Sequence, residues 1–337
     1  MYPKVTVLMS TYNGEKYIRE QLDSILNQTE VEIRLIIRDD GSSDKTISII
    51  KEYAEKNKCV SIIEGRNLGV GHSFWELLKK APTSDYYAFA DQDDVWDFDK
   101  LSHAVKVVQM AESIKNSNKI IGIGKTVNTS ELLNMSQSNI NSQIPVLYGA
   151  NQLLVDANLK PISYRFAEVP KFDFYSSLSR NILYGCTMVF NNSLRKCCCN
   201  VPLPDEKVLK RKNHDAWMLY CAYIMGIVVF DQESKMKYRQ HESNVVGGIQ
   251  LSGSKAIREK IERFLSKKNK KVRSTLASNL LSCFDDNLKS QVKQRLSRIK
   301  NANSFWGALE LCKDDVIVCA FNESRFKLFL RGILGWI

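Results

Sequence analysis

The sequence predicts an α/β fold whose central sheet is mostly parallel and doubly wound. Short apolar runs typical of buried strands alternate with segments whose apolar residues recur at helical spacing. Three of the runs lead directly into polar turns: Val5–Met9, Glu32–Ile37 and Tyr86–Ala90. A repeated strand–turn–helix order favours parallel strands joined by right-handed crossovers.

The first 110 residues contain most of this pattern. The segment after Gly14 predicts a helix, because its apolar residues lie on one helical stripe: Ile18, Leu22, Ile25 and Leu26. Asp44 is a candidate cap for a second helix, whose predicted apolar face holds Ile47, Ile50 and Tyr53. Val60–Ile63 predicts a short strand, a helix is expected to begin at Ser73, and Leu101–Val108 predicts a further helix.

Beyond residue 110 the pattern is weaker. Residues 116–171 are rich in Ser and Asn and predict loops and weak strands. Ile182–Phe190 predicts a strand, a helix is expected to open at His214, and Gly226–Phe230 predicts a last strand. We therefore expect one α/β domain over residues 1–250.

The positive charge is concentrated in the C-terminal region. The 337-residue chain has a formal net charge of +11, and residues 255–300 contain fourteen Lys or Arg against four Asp or Glu. This segment is predicted to be helical, and an apolar terminus with scattered basic residues follows it, Phe326–Ile337. A basic helical segment is most commonly a solvated face. Because an apolar, aromatic terminus follows it, we favour an anionic membrane surface as partner for a separate basic region, residues 255–337.

The cysteine pattern and the hydropathy favour a cytoplasmic protein. The nine cysteines have no disulfide-framework spacing, which indicates a reducing compartment. No apolar run approaches the ~20 residues that span a bilayer, and no signal peptide is visible at the N-terminus. We expect the protein to lie in the cytoplasm, peripheral to the inner face of the cell membrane.

The segment Asp91-Gln92-Asp93-Asp94 predicts a metal–diphosphate site. It follows the apolar run Tyr86–Ala90, and three carboxylates at the end of a buried strand repel one another unless they are solvated or neutralised. Mg²⁺ and Mn²⁺ prefer carboxylate oxygens together with substrate phosphates. Since ligands of open α/β sheets bind at the carboxyl ends of the strands, the polar turns after the three apolar runs describe one site.

Three motifs in this order resemble those of family-two inverting glycosyltransferases with the GT-A fold: Ser10-Thr11-Tyr12-Asn13-Gly14, Asp39-Asp40-Gly41-Ser42-Ser43-Asp44 and Asp91-Gln92-Asp93-Asp94. The resemblance is strong over residues 1–110 and extends more thinly to about residue 248. Asp91–Trp96 and Tyr238–Gly247 are similar to the bacterial rhamnosyltransferase subgroup. No resemblance is found beyond residue 255.

The resemblance implies roles for the residues on the donor side. Tyr12 would lie against the base, and Asp40 would accept a hydrogen bond from the N3–H of uracil or thymine. Asp93 would ligate Mg²⁺ or Mn²⁺, with His241 as a second ligand or as a contact to the diphosphate. The residues expected to bind the nucleotide sugar are Thr11, Tyr12, Asn13, Asp39, Asp40, Asp91 and Asp94.

The resemblance also implies a catalytic base on the acceptor side. Asp215 would take the acceptor hydroxyl proton as that oxygen attacks the anomeric carbon. The family often has Glu-Asp here, and this chain has His214 before Asp215, so the helper role of residue 214 is open. Trp96 and Trp217 are candidates for stacking on acceptor sugars, although tryptophans are more often part of a core.

The expected function is transfer of a single sugar, rhamnose from dTDP-rhamnose or otherwise a hexose from its UDP donor. The expected acceptor is a saccharide or a lipid-linked saccharide of a bacterial surface polysaccharide. Two alternatives remain open at this point. A sugar-phosphate nucleotidyltransferase would usually have a glycine-rich basic loop near the N-terminus, where this chain has Ser10–Asn13. A nucleic-acid-binding protein would use residues 255–300, but no recognised binding motif accompanies that charge, so no nucleic-acid partner is expected.

Overall fold

The computed structural model describes residues 1–114, 126–133, 135, 144–169, 172–241 and 270–337. The chain divides into two compact units. The first unit comprises residues 1–171, 183–200 and 214–240, and the second comprises residues 172–182, 201–213 and 241–337. The second unit therefore combines the C-terminal region with two short earlier segments, so the units are not separated by one cut in the chain. The functional division near residue 250 stays a prediction.

The strands of the described residues all belong to the first unit. In chain order they are β1 (Lys4–Thr11), β2 (Glu32–Asp39), β3 (Val60–Glu64), β4 (Tyr86–Ala90), β5 (Val95–Trp96), β6 (Thr126–Asn128), β7 (Val146–Ala150), β8 (Leu153–Val155), β9 (Pro161–Tyr164), β10 (Val189–Asn191), β11 (Ile227–Asp231) and β12 (Met236–Arg239). Eight of them form one sheet in the order β3-β2-β1-β4-β10-β7-β11-β6. Only β10 runs antiparallel to its neighbours in this sheet, so the mostly parallel fold is confirmed.

The helices, in chain order, are α1 (Ile18–Leu26), α2 (Thr46–Lys56), α3 (Val70–Lys80), α4 (Lys100–Glu112), α5 (Thr129–Leu133), α6 (Phe174–Ser179), α7 (Asn192–Asn200), α8 (Glu206–Met225), α9 (Val272–Cys283), α10 (Ser290–Asn301), α11 (Phe305–Cys312), α12 (Asp315–Phe321) and α13 (Arg325–Ile333). The carboxylate of Asp44 accepts the backbone N–H of Thr46 at 3.0 Å, as expected of a cap, and α2 buries Ile49 and Ile50. Ile47 and Tyr53, which were predicted on the apolar face of this helix, are only half-buried.

The strands nearest the candidate site are buried along most of their length. β4 lies beside β1 in parallel, all five of its residues are buried, and it ends immediately before Asp91. Parallel strands covered on both faces read as continuous apolar runs, which is why β1, β2 and β4 were recognisable in the sequence. Their carboxyl ends bring the three polar turns to one edge of the sheet.

Two sequence-based expectations for the middle of the chain were wrong. Residues 146–150, expected within loops and weak strands, form the fully buried β7 between β10 and β11. The run is too short for its periodicity to distinguish a buried strand from other structures. Its place in the sheet depends on pairing with distant strands. Ile182–Phe190 is not one strand, because a 3₁₀ turn at Gly185–Thr187 precedes β10.

A smaller sheet and a kinked helix complete the scaffold of the site. The smaller sheet has the order β5-β12-β8-β9, and its strand β5, paired with β12, directly follows the acidic turn. Helix α8 is interrupted at Asn213, whose φ of 59° and ψ of −178° are not helical. The helical segment predicted to open at His214 is therefore the second half of α8.

The described part of the second unit is helical. It comprises α6, the first half of α8 and α9–α13, and its core is formed by buried aliphatic residues: Leu276, Leu280, Leu296, Ile299, Leu311, Ile317 and Leu328. Among the described residues of the chain, we found no helix with the length and apolar character needed to cross a membrane.

Candidate functional site

The acidic turn after β4 holds three carboxylates with different environments. Asp91 and Asp93 are half-buried, whereas Asp94 has no exposed surface. One oxygen of Asp94, Oδ1, accepts the backbone N–H of Arg239 at 3.3 Å. The other oxygen, Oδ2, is buried and has no hydrogen-bond partner among the described residues. A buried carboxylate oxygen without a partner is costly, so this turn is suited to a cation or another donor.

The charges around this turn oppose one another. Burial, with the negative charges of Asp93 and Asp215, raises the pKa of Asp91 to about 7. Burial and the charges of Asp93 and Asp91 also raise the pKa of Asp94 well above its usual value. Burial lowers the pKa of Lys100 to about 7, although nearby negative groups act in the opposite direction. A concentrated set of perturbed groups at a strand end is typical of a functional site.

Lys100 is the cationic residue inside this acidic environment. It is the first residue of α4, it is 4% exposed, and its Nζ lies 3.5 Å from the centre of the Trp96 ring. No hydrogen-bond partner of that Nζ is present in the described part of the chain. Its positive charge partly offsets the repulsion between Asp91 and Asp94.

Arg239 fixes the backbone of the acidic turn from the smaller sheet. The side chain is 1% exposed; its Nε donates to the carbonyl of Asp93 at 2.9 Å and its Nη1 donates to the carbonyl of Ala157 at 2.6 Å. Its Nη2 forms an ion pair with Glu20 at 2.6 Å. The guanidinium group therefore joins three separate segments and determines where the turn lies.

Asp39 organises the second polar turn. Its Oδ2 accepts the hydroxyl of Thr11 at 2.9 Å and that of Ser42 at 2.6 Å, while its Oδ1 accepts the backbone N–H groups of Gly41 and Ser42 at 3.0 and 2.8 Å. Asp39 is fully buried. Thr11 and Asp39, both predicted to bind the nucleotide, are thus brought together, and their observed contacts hold the turn.

Tyr12 and Asn13 connect the first polar turn to the other two. The side-chain amide of Gln92 accepts the N–H of Tyr12 and donates to the carbonyl of the same residue, both at 2.9 Å. Asn13 donates its N–H to the hydroxyl of Ser42 at 2.9 Å. The Tyr12 side chain is 49% exposed, so its ring is available to a ligand.

Asp40 is held beneath a third loop. Its carboxylate pairs with Arg38 and accepts the backbone N–H groups of Leu68 and Gly69, each at 2.8 Å. Both partners of the Arg38–Asp40 pair are almost fully buried. Oδ2 of Asp40 accepts the N–H of Gly69 and retains one lone pair, which can accept a further hydrogen bond.

Asp215 approaches the acidic turn from α8. Its Oδ2 accepts the N–H of Gly185 at 3.3 Å, its Oδ1 accepts the N–H of Ala216 at 2.8 Å, and the side chain is 7% exposed. Gly185 precedes Cys186, whose thiol lies within 4.8 Å of carboxylate oxygens of Asp91 and Asp94, and the charge of Asp215 contributes to the raised pKa of Asp91. Asp215 and the acidic turn are therefore brought together from positions more than 120 residues apart in the sequence.

His214 lies in an aromatic pocket. Its ring stacks on Phe74 with centroids 4.0 Å apart and meets the edge of Phe89 at 4.7 Å. Burial lowers the pKa of His214 to about 3, and neither ring nitrogen has a hydrogen-bond partner among the described residues. These contacts give His214 a packing role and argue against a place on the acceptor side.

The two tryptophans predicted on the acceptor side are also buried. Trp217 is 1% exposed and meets the ring of Tyr220 edge-on, and Trp96 is 3% exposed beneath Lys100. Neither ring presents a face to solvent, which argues against stacking on an acceptor sugar. Tryptophan is large and apolar, so the sequence alone did not distinguish core from binding surface.

Several residues of this site were not assigned a role from the sequence. Gln92, Lys100, Arg239 and Cys186 each contact or electrostatically influence the acidic turn. Two of them had a sequence signal, since Gln92 lies inside the acidic motif and Arg239 inside the motif Tyr238–Gly247. His241 belongs to the second unit, and its role as a metal ligand stays a prediction.

The donor set of the acidic turn fits a divalent cation. One ligand atom each from Asp91, Asp94 and Cys186 lies within 4.8 Å of the others. Carboxylate oxygens suit Mg²⁺ and Mn²⁺, whereas a thiol suits softer metals. Asp93 is not one of these three residues, so its role as a metal ligand stays a prediction.

Comparisons with known proteins agree on one family. Residues 6–137 match the model of glycosyl transferase family 2. The dTDP-rhamnosyl transferase RfbG of Shigella flexneri is 29% identical over 253 residues, which cover 71% of this chain and 73% of that protein. The uncharacterized glycosyltransferase RT0329 of Rickettsia typhi is 25% identical over 241 residues, which cover 72% of this chain and 65% of that protein.

The fold is similar to that of a solved structure with bound UDP-GlcNAc. The crystal structure of residues 1–349 of S. aureus TarS in complex with UDP-GlcNAc aligns with a TM-score of 0.54 and 16% identity, covering 98% of this chain and 81% of that one. At this identity the likeness concerns the fold alone. Residues 6–137 are a glycosyl transferase family 2 domain, and the chain is a glycosyltransferase with the GT-A fold.

Proposed function

We propose that this enzyme transfers one sugar from a nucleoside diphosphate donor to a hydroxyl of a saccharide acceptor, with inversion and with a divalent metal. The observation that supports the proposal is the place of Asp215: it accepts the N–H of Gly185, and the next residue, Cys186, has its thiol within 4.8 Å of carboxylate oxygens of Asp91 and Asp94. A carboxylate on the acceptor side, facing a site for a diphosphate, is the arrangement that a direct displacement requires.

The donor side is built from the three polar turns. We propose that the exposed ring of Tyr12 lies against the base and that Asp40, which retains acceptor capacity, binds its N3–H. Thr11 and Asn13 are proposed to hold the nucleotide, and Asp39 to support Asp40 or the ribose. Asp91 is proposed to face the ribose or the sugar, and Asp94 the donor sugar or a second-shell water. Asp93 and His241 are proposed as metal ligands. When bound there, Mg²⁺ or Mn²⁺ neutralises the negative charge that develops on the departing diphosphate.

Asp215 is the proposed general base. The acceptor hydroxyl oxygen forms a bond to the anomeric carbon, the bond from that carbon to the diphosphate oxygen breaks, and the hydroxyl proton moves to the Asp215 carboxylate. The nucleoside diphosphate leaves with the bonding electron pair. The hydrogen bonds from Gly185 and Ala216 orient the carboxylate.

We propose dTDP-rhamnose as the donor and a UDP-hexose as the second candidate. The similarity to the dTDP-rhamnosyl transferase RfbG, at 29% identity, supports the rhamnosyl donor. The acceptor is proposed to be a saccharide or lipid-linked saccharide of a bacterial surface polysaccharide, used at the inner face of the cell membrane. A nucleotidyltransferase is not retained, because the family 2 domain is a glycosyltransferase domain.

A transfer assay with a panel of donors tests this function. Purified enzyme is incubated with dTDP-rhamnose, UDP-glucose or UDP-GlcNAc and a saccharide acceptor, with Mn²⁺ or with a chelator. We expect release of one nucleoside diphosphate only when metal is present, and an anomeric configuration in the product opposite to that of the donor.

The Asp93→Ala variant is expected to abolish that metal-dependent transfer, and Asp286→Ala, an exposed residue of the second unit, is the control. Retention of configuration in the product, or full activity in the chelator, would contradict the proposal.

A further inference from the structure

The second unit exposes an unusual number of large apolar side chains on two neighbouring helices. On α11, Phe305 is 56% exposed and Trp306 is 74% exposed. On α13, Phe326 is 72% exposed, Leu330 is 37% exposed and Ile333 is 42% exposed. Single exposed apolar residues are ordinary, but a contiguous group marks an interaction surface.

These residues form one surface because α11 and α13 pack against each other. Gly332 of α13 lies so close to Ala308 of α11 that a methyl group on Gly332 would collide with it. The ring of Phe305 lies 5.3 Å from that of Trp306 and 5.5 Å from that of Phe329, between centroids. We refer to the surface formed by Phe305, Trp306, Phe326, Phe329, Leu330 and Ile333 as the aromatic face.

Helix α13 has two apolar stripes, and only one of them is used by the core. Leu328 and Gly332 are buried against the rest of the unit. Phe326, Leu330 and Ile333 recur at intervals of four and three residues, so they lie on one side of the helix. Burial of the core therefore does not account for this second stripe.

The charge of the same unit identifies the partner. Residues 270–300 contain eight Lys or Arg against two Asp or Glu, and Lys289 and Lys300 are exposed. Four of the other basic residues are in ion pairs: Arg273, Lys293, Arg295 and Arg298. Helix α10, which carries Lys300, packs against α11, which carries Phe305 and Trp306. On α13, Arg331 forms an ion pair with Glu323 at 2.7 Å, whereas Lys327 is exposed at the edge of the stripe.

Aromatic and aliphatic side chains beside exposed lysines match the two layers of a membrane interface. Trp and Phe favour the boundary between headgroups and acyl chains, and lysines beside them attract anionic lipid. A second copy of this chain would present the same positive charge, so self-association through this surface would bring like charges together.

We propose that the aromatic face docks the enzyme on an anionic lipid membrane, with Trp306 and Phe326 in the interface and the lysines of the neighbouring segment near the headgroups. The inference builds on the lipid-linked acceptor of the proposed function, and it is independent of the donor.

Vesicle binding by the full-length protein tests the inference. Co-sedimentation is measured with vesicles of phosphatidylcholine alone or mixed with phosphatidylglycerol. We expect binding to the mixed vesicles that weakens as salt is added, and a binding constant about tenfold or more lower for the double variant Trp306→Ser/Phe326→Ser.

Tyr2→Ser/Ile162→Ser is the matched control, because both residues are more than half exposed and lie in the first unit. It is expected to bind vesicles as the wild type does. Equal binding by the double variant of the aromatic face, or no binding by the wild type, would overturn the inference. A third outcome would assign the surface to a second copy of the chain instead. In that case the wild type would form a concentration-dependent dimer that Trp306→Ser/Phe326→Ser does not form, and neither protein would bind vesicles.

Activity is measured separately on a water-soluble acceptor. The double variant is expected to retain wild-type transfer in this assay, because none of the changed residues lies in the site. Absence of transfer from every donor alongside intact vesicle binding would remove the proposed function and leave the docking surface in place. Salt-sensitive binding to duplex DNA without vesicle binding would overturn the docking surface in favour of a nucleic-acid partner.

Discussion

At the scale of single residues, the carboxylates of this site differ in how fully their oxygens are engaged. Asp39 and Asp40 accept several hydrogen bonds each from nearby loops. Asp94 has an oxygen without a hydrogen-bond partner in the described part of the chain, and the pKa of Asp91 is raised. The hydrogen bonds of the first pair stabilise the architecture of the site, and Asp40 keeps one lone pair for the base, whereas Asp91 and Asp94 have more capacity left for a ligand.

Replacing Asp215 by Asn is expected to reduce turnover about 10²–10⁴-fold, the range typical for removal of a general base. Asparagine keeps an acceptor oxygen for one of the two backbone N–H groups, so the fold and donor binding are expected to be retained. Steady-state kinetics and nucleotide titration measure the two effects separately. Normal turnover by the variant would remove Asp215 from the role of base.

His214→Phe is expected to make the protein more resistant to acid. The folded pKa of His214, about 3, is below its unfolded value of about 6.5, so between these values the unfolded state binds a proton that the folded state does not. The contribution of the neutral His214 ring to the free energy of unfolding is therefore complete above pH 6.5 and is lost as the pH falls. The loss is about 2 kcal/mol between pH 6.5 and 5. Phenylalanine removes this loss and keeps the aromatic stack.

Urea unfolding of the wild type and of His214→Phe at both pH values measures the difference. The wild type should lose about 2 kcal/mol more than the variant on acidification. Equal losses would mean that His214 is not buried as a neutral ring. Transfer activity at neutral pH should be unchanged, since the ring packs between Phe74 and Phe89.

At the scale of elements, the connection between two turns depends on a glycine. A methyl group on Gly14 would overlap the side-chain amide of Gln92, which holds the backbone of Tyr12. Gly14→Ala should displace this flexible amide and weaken nucleotide binding about tenfold, the equivalent of one or two lost hydrogen bonds. The thermal midpoint should change little because the amide is able to move.

A double-mutant cycle with Gln92→Ala checks the cause. Both single variants and the double variant should bind nucleotide with similarly reduced affinity, because all three lose the same contact. Additive losses would show that Gly14 acts through another contact.

The connection made by Arg239 leads to a different expectation. Lysine carries the same charge but lacks the planar set of donors that reaches Asp93, Ala157 and Glu20. Arg239→Lys should therefore lower both the thermal midpoint and activity, since a buried partner set is left unsatisfied. Lys237→Arg, a change two residues away on β12 at a half-buried position, is the control. Equal behaviour of the two variants would contradict the anchoring role.

The sequence predicted the elements whose signal is local. β1, β2 and β4 are apolar runs that end in polar turns, and α1 has a clear apolar stripe. β7 and β10 were missed or misplaced because their positions depend on pairing between distant segments. Arg239 was not assigned for a related reason: an arginine in a polar motif gives no sign that it is buried.

At the scale of the whole molecule, the charge and the chemistry are unevenly distributed. The first unit contains the sheet and the acidic turn, and most of the excess positive charge of the chain is found in residues 255–300. The order of the polar turns was sufficient to predict one site at the edge of a parallel sheet. The burial of His214, Trp96 and Trp217 was not predictable, because it depends on contacts made only in the folded chain.

The most direct test of the account is calorimetric titration of the protein with dTDP and with UDP, each with Mn²⁺ and with a chelator. We predict binding of one pyrimidine nucleoside diphosphate that requires the metal and is lost in Asp93→Ala. A thermal midpoint that rises with the same ligand pair would accompany it, since a ligand at about 100 times its Kd adds about 2.7 kcal/mol. Equal binding in the chelator, or unchanged binding by Asp93→Ala, would contradict the central claim that the acidic turn is a metal–diphosphate site.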